Sequence, residues 1–276
     1  MGLDVATATE DALIDFCNQR GEEDALVAGI DGAIVVKVTD SIVAKWGWTV
    51  TAAEAAMQEF AYKSLLDYHD IVRVPRVYRF IQDDLGRGYL FMEYIPGHNL
   101  ADLDITHKHK DVISRVAEIV QHLSQIQAPP EQHRPGPISH DRGPRGYLWG
   151  DDGVRKPFVS ITDLNDWLNR RLILRRQNES VDLSSYPLVL CHMDLCRRNM
   201  ILGEDGKSIY LLDWGHAGFF PRFYEVATLS CLNPYDEEYE KPLIGAVESL
   251  LQLTDEEKRD VKMVHYGRAA SLRWSL

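Results

Sequence analysis

The chain has 276 residues, 45% of them hydrophobic and 26% charged, which suits one large domain or two small lobes with ample core. Its Lys and Arg number 30 against 42 Asp and Glu, and the resulting formal charge of −12 argues against nucleic acid or an anionic membrane as partner while tolerating a cationic substrate. The cysteines Cys17, Cys191, Cys196 and Cys231 lack metal or redox spacing, the acidic start does not resemble a signal peptide, and no apolar run reaches membrane-spanning length, so the expected compartment is the reducing cytoplasm.

Residues 1–24 are polar and acidic, with Leu13, Ile14 and Phe16 at helical spacing, which predicts a small helix at the edge of a first lobe. Strand patterns follow from Ala25 to Lys37 and from Ile42 to Lys45, around a turn at Thr39-Asp40-Ser41. Gly29 and Gly32 can form a short phosphate-covering turn, although a plain hairpin turn at Asp31-Gly32 is the simpler reading in the absence of a G-x-G-x-x-G loop. Lys45 ends a Val/Ile strand on the face of Val43, and is either an edge-strand charge or an ammonium that pairs with phosphate. Thr51-x-x-Glu54 then opens an Ala-rich helix in the manner of a capping box; Glu59 lies on the same helix, which runs to about Leu66.

Two further strands, Val74 to Ile81 and Arg87 to Ile95, flank a turn at Asp83-Asp84-Leu85-Gly86, and Pro96-Gly97 stops the second. Asp111 to Ile126 carries Val112, Val116, Ile119, Leu123 and Ile126 on one stripe and reads as a core helix. His107, His109 and His122 lack metal spacing with carboxylates. The stretch from Pro129 to Pro157 is a long loop that either covers an acceptor, with Asp151 and Asp152 facing a cationic substrate, or is a surface excursion. A helix from Phe158 to Arg176 leads to the apolar run Leu188 to Leu190.

That run delivers His192-Met193-Asp194. Asn199 follows five residues on, then a short strand from Met200 to Leu202, a Glu204-Asp205-Gly206 turn, and a strand from Ile209 to Leu212 that delivers Asp213. A hairpin of this kind brings two carboxylates and one amide to the same end. Such a set suits phosphoryl transfer, which asks mainly for positioning and charge neutralisation. One carboxylate can orient a hydroxyl and accept its proton, while the other and the amide oxygen are hard ligands that suit Mg²⁺.

The pattern His192-x-Asp194-x-x-x-x-Asn199 followed by Asp213-Trp214-Gly215 resembles the catalytic loop and metal-binding Asp of the protein-kinase-like fold. With the stretch Trp214 to Glu225 added, the chain resembles the aminoglycoside phosphotransferase and choline kinase-like family, especially its fungal branch, over roughly residues 25 to 260. The resemblance implies an α+β, bilobal fold, with a small β-rich N-lobe over 1–92, a hinge over 93–97 and a larger, mostly helical C-lobe over 98–276. It implies an ATP- and Mg²⁺-dependent phosphotransferase acting on a small-molecule hydroxyl, with Asp194 as base and His192 scaffolding its loop. Asn199 and Asp213 would hold Mg²⁺. Lys45, positioned by Glu54 or by Glu59, would hold the α and β phosphates, and the main chain of Glu93 and Ile95 would meet the adenine edge. Glu225 reads as a buried anchor. Asp236-Glu237-Glu238 fall where aminoglycoside kinases meet substrate amines, with a solvated helix start as the simpler reading. A protein kinase is the alternative, weakened by Met193 in place of Arg and by the missing Ala-Pro-Glu segment; a catalytically inactive nucleotide-binding scaffold is another.

Overall fold

Strand alternation decides which residues of the N-terminal region face which helix. The computed structural model describes residues 3–28, 32–139, 142–150, 153–231 and 236–274, so Gly29, Asp31, Asp151 and Asp152 lie outside the described residues. In chain order its elements begin with α1 (Glu10–Asn18), β1 (Val27–Ala28), β2 (Ile34–Lys37), β3 (Ile42–Gly47) and α2 (Ala52–Ser64). Next come β4 (Val77–Gln82), β5 (Gly88–Glu93), β6 (Gly97–Asn99), α3 (Val112–Leu123), α4 (Ile161–Leu174) and β7 (Val189–Cys191). The remainder is β8 (Met200–Gly203), β9 (Ile209–Leu211), β10 (Gly218–Phe220), α5 (Phe223–Leu229), α6 (Glu237–Leu251) and α7 (Asp255–Trp274). By contact, the chain groups into two compact units, Met1–His98 with Ile201–Gly215 and Asn99–Met200 with His216–Leu276.

In the first unit an antiparallel sheet runs in the order β1-β2-β3-β5-β4. One face carries Ala44, Trp46, Tyr89 and Phe91, which pack with Leu13 and Cys17 of α1. The other face carries Leu90, which packs with Ala33, Val50 and Ala55 of α2. Lys45 pairs in register with Leu90 and Val35, so the pleat turns its side chain to the α2 side. Thr51 caps α2 by accepting the Glu54 N–H at 3.1 Å, half of the expected capping box.

The predicted hairpin forms as β8 and β9. Its turn is built on Asp205, whose carboxylate accepts the N–H groups of Lys207 and Ser208 and the Ser208 hydroxyl. The sequence assigned this hairpin to the C-lobe, whereas residues 201–215 group with the first unit. The reason lies in the main chain. A sheet of order β6-β8-β9 ties the hairpin to Gly97, and Arg73 exchanges bonds of 2.8 Å with Ile209 and Leu211.

The second unit is mainly helical. There α3, with Val112, Val116, Ile119 and Leu123 buried, packs on α6, and α4 and α5 pack on α7. A short antiparallel pair joins β7 to β10, with Gly218 opposite Cys191. Trp149, from the long loop, is buried among Phe158, Trp167, Phe220 and Tyr224, which pins the loop's described part to this core. Among the described residues no helix is long and apolar enough to cross a membrane.

Gly97 marks the tightest point of the hairpin's attachment, because a Cβ there would lie 2.3 Å from the Leu202 carbonyl oxygen and 2.7 Å from Ile201 Cγ2. Backbone cannot move aside as a flexible side chain can. Gly97→Ala is expected to destabilise the protein by about 1–3 kcal/mol in chemical denaturation, the range for overpacking; wild-type stability in that variant would contradict the close approach.

Candidate active site

Strand β3 carries Lys45 to a pair of carboxylates within the first unit. Its Nζ lies 2.7 Å from Glu54 Oε1 and 3.0 Å from Asp213 Oδ1. Glu59, the other partner considered from the sequence, pairs with Lys63 at 2.6 Å on the exposed face of α2. Burial pulls the Lys45 pKa down, but the Glu54 and Asp213 carboxylates outweigh it and hold the ammonium above its ordinary value. Asp213 adopts a left-handed backbone, φ 60°, which Asp tolerates better than most residues. Its side chain is 44% exposed, a carboxylate open to solvent although one oxygen meets Lys45.

Main-chain direction at residues 93–95 follows from β5. Tyr94 donates its N–H to Ser41, while the Glu93 N–H donates to Arg76 on the opposite edge. Alternation within the strand therefore turns the Glu93 carbonyl to that same opposite edge. The Glu93 carboxylate accepts the Arg76 N–H at 3.2 Å.

In the second unit the loop of His192, Met193 and Asp194 hangs from a buried acid. Glu225, on α5, accepts the N–H of His192 at 2.5 Å and that of Met193 at 3.0 Å. Met193 has a left-handed φ of 66°, a conformation that costs roughly 1–2 kcal/mol for a residue with a Cβ. Two backbone hydrogen bonds to this buried acid, at about 0.5–1.5 kcal/mol each, offset that cost. His192 is fully buried and accepts the Asp194 N–H through Nδ1 at 3.2 Å, which fits a scaffolding imidazole. Asn199 donates Nδ2 to the Asp194 carbonyl at 3.1 Å, so its amide oxygen is the atom left for a ligand. An amide oxygen is a hard donor, which suits Mg²⁺.

Asp194 is buried, and its Oδ1 has no hydrogen-bond partner among the described residues. Arg198 Nη2 stands 3.7 Å from Oδ1, and His216 Nδ1 stands 3.7 Å from Oδ2. A buried carboxylate oxygen left in this state is what an incoming hydroxyl would satisfy. The pairing of β7 with β10 explains His216, because the residues after Cys191 and before Gly218 must leave the two strands side by side. Tyr147 packs edge-on against His216 and accepts a 2.7 Å hydrogen bond from Arg198.

The residues proposed from the sequence thus fall into two groups: Lys45, Glu54 and Asp213 in the first unit, and His192, Asp194 and Asn199 in the second. Sequence reasoning gave no role to Arg198, His216 and Tyr147. Arg198 and His216 sat in view beside the motif, whereas Tyr147 arrives from the long loop with no spacing to announce it.

The family model described as the phosphotransferase enzyme family, APH, matches residues 35–260. The chain belongs to the phosphotransferase enzyme family. It is therefore a kinase-type enzyme that transfers phosphate to a hydroxyl. No curated protein sequence matches this phosphotransferase. Among solved structures it is similar to a GDP complex of a mutant aminoglycoside 2'-phosphotransferase-IIIa, at 19% identity over 90% of this chain and 82% of that one, TM-score 0.53. An aminoglycoside-3'-phosphotransferase of type VIII aligns at 16% identity over 94% of this chain and 98% of that one, TM-score 0.53. A GDP and kanamycin complex of APH(2")-IIIa aligns at 15% identity over 88% and 83%, TM-score 0.50. At these identities the likeness concerns the fold, the protein-kinase-like α+β arrangement expected from the sequence.

The Glu225 anchor makes the phosphotransferase's stability depend on pH. Burial pushes this carboxyl up to about 7 from an ordinary 4.5, against the opposing pull of the two backbone donors. The native state then holds a proton that the unfolded chain releases, so the group's contribution is complete below pH 4.5 and is lost as pH rises through about 7. Thermal denaturation from pH 5 to pH 8 should show this decline in wild type, and Glu225→Gln should lack that component; equal slopes in the two proteins would refute the assignment.

Proposed function

We propose that this phosphotransferase moves the terminal phosphoryl group of ATP to the hydroxyl of a small molecule, with Asp194 orienting that hydroxyl and accepting its proton. The observation that carries the reading is the buried Asp194 carboxylate with an unsatisfied oxygen, on a loop fixed by Glu225. His192 keeps the loop in shape. Lys45, braced by Glu54, binds the α and β phosphates, and the 93–97 segment acts as hinge, receiving the base edge on the Glu93 carbonyl and the Ile95 N–H. Asn199 and Asp213 hold Mg²⁺, which when bound neutralises phosphate charge. We also assign the chain to the fungal branch, supported by the stretch Trp214 to Glu225, and to the cytoplasm, supported by its four free thiols.

Asp194→Asn should lower turnover by about 10²–10⁴-fold, the usual range for losing a general base. Nucleotide affinity should stay near wild type; ADP release and mass gain of the acceptor measure the first, and titration with a nonhydrolysable nucleotide the second. A large loss of affinity would assign Asp194 to nucleotide binding instead. GTP should be run beside ATP, since two of the similar structures are GDP complexes.

Asp213→Asn keeps a residue that accepts the left-handed backbone while removing a charge from the metal ligand set. Its turnover should require a much higher Mg²⁺ concentration than wild type, and an unchanged Mg²⁺ dependence would exclude Asp213 as a ligand.

A further inference from the structure

The two arginines before Asn199 point to different partners. Arg197 donates Nε and Nη2 to the two oxygens of Asp236 at 2.7 and 2.9 Å, and Nη1 reaches the carbonyls of Leu100 and Leu103. That is a closed set of contacts, bidentate and charge-neutral. Arg198 turns outward. Its side chain is 52% exposed, and among the described residues it makes one side-chain hydrogen bond, to the Tyr147 hydroxyl. A guanidinium offers five donors in a planar fork, so most of this fork faces solvent beside Asp194.

The acidic groups that a cationic acceptor would need are differently placed. Asp236, which the sequence nominated to meet substrate amines, is neutralised by Arg197. Glu237 pairs with Lys241 at 2.6 Å, and Glu238 is exposed. Glu240 shares a cavity of about 230 Å³ with Arg198, Asp236 and Tyr239, but has an interaction of its own. Among the described residues, the side-chain charge facing solvent beside Asp194 is the positive one of Arg198.

We propose that Arg198, with the Tyr147 hydroxyl, forms an acceptor subsite for an anionic oxygen group, so that the acceptor is an alcohol bearing a carboxylate or a phosphate. This deepens the phosphotransferase reading and rests on it for the hydroxyl at Asp194. An anion seated on Arg198 brings a nearby hydroxyl of the same molecule to Asp194 Oδ1, 3.7 Å from the guanidinium. The guanidinium also offsets the repulsion between that anion and the Asp194 carboxylate, a task that no neutral residue could take over.

Isothermal titration of the nucleotide-free protein with glycerate, glycerol 3-phosphate, glycerol and kanamycin, on wild type, Arg198→Met and Arg198→Lys, tests the subsite. Expected is saturable binding of glycerate or glycerol 3-phosphate at least about tenfold tighter than glycerol, the two arms separating carboxylate from phosphate. Arg198→Met should weaken it by about tenfold or more, and Arg198→Lys should restore part of it. The proposal is overturned if kanamycin binds best, if neither anion exceeds glycerol, or if Arg198→Met leaves anion binding unchanged, the result expected of an arginine that only tunes Asp194. No turnover enters these measurements, so failed phosphate transfer counts against the phosphotransferase mechanism, and failed anion binding against this subsite.

Discussion

A single buried acid, Glu225, sets the conformation of the loop that carries Asp194. Glu225 draws two successive N–H groups toward itself, and the intervening backbone can oblige only by turning Met193 into the left-handed region. Once Met193 is turned, Asp194 follows with its N–H on the His192 imidazole, and Asn199 closes the loop on the Asp194 carbonyl. Every one of these bonds involves the backbone of the loop rather than the Asp194 carboxylate. The loop is thereby held while Asp194 Oδ1 stays without a hydrogen-bond partner among the described residues.

The first unit solves a different electrostatic problem. An ammonium in the interior is tolerable only with carboxylates close by, and Lys45 has two. Glu54 is nearly inaccessible, whereas Asp213 is half open to solvent, so the two partners are not equivalent. The buried one fixes the direction of the lysine. The open one shares the lysine's charge from the solvent side.

Much of this was legible in the sequence, for reasons that differ from place to place. Alternation in a Val/Ile strand was enough to put Lys45 on the face of Val43, and an Asp-Gly turn between apolar strands was enough for the β8–β9 hairpin. The partner of Lys45 was not: Glu54 and Glu59 share a helix, and only the placement of α2 against the sheet separates them. Nor was the unit to which the hairpin belongs, because the bonds that decide it run from Gly97 and Arg73, far away in sequence. The same limit hid Tyr147, whose position depends on the burial of Trp149 in an aromatic cluster assembled from four separate segments.

The chain crosses from one compact unit to the other after His98, after Met200 and after Gly215. Neither unit is therefore a contiguous fragment that a gene could gain or lose with a single break. A piece ending at residue 98 would expose the edges of Gly97 and Arg73 where β8 and β9 belong, and would have Lys45 without one of its two counter-charges. The enzyme is woven rather than strung together, and its sheet-bearing unit cannot be borrowed by another protein unless a short insert from downstream travels with it.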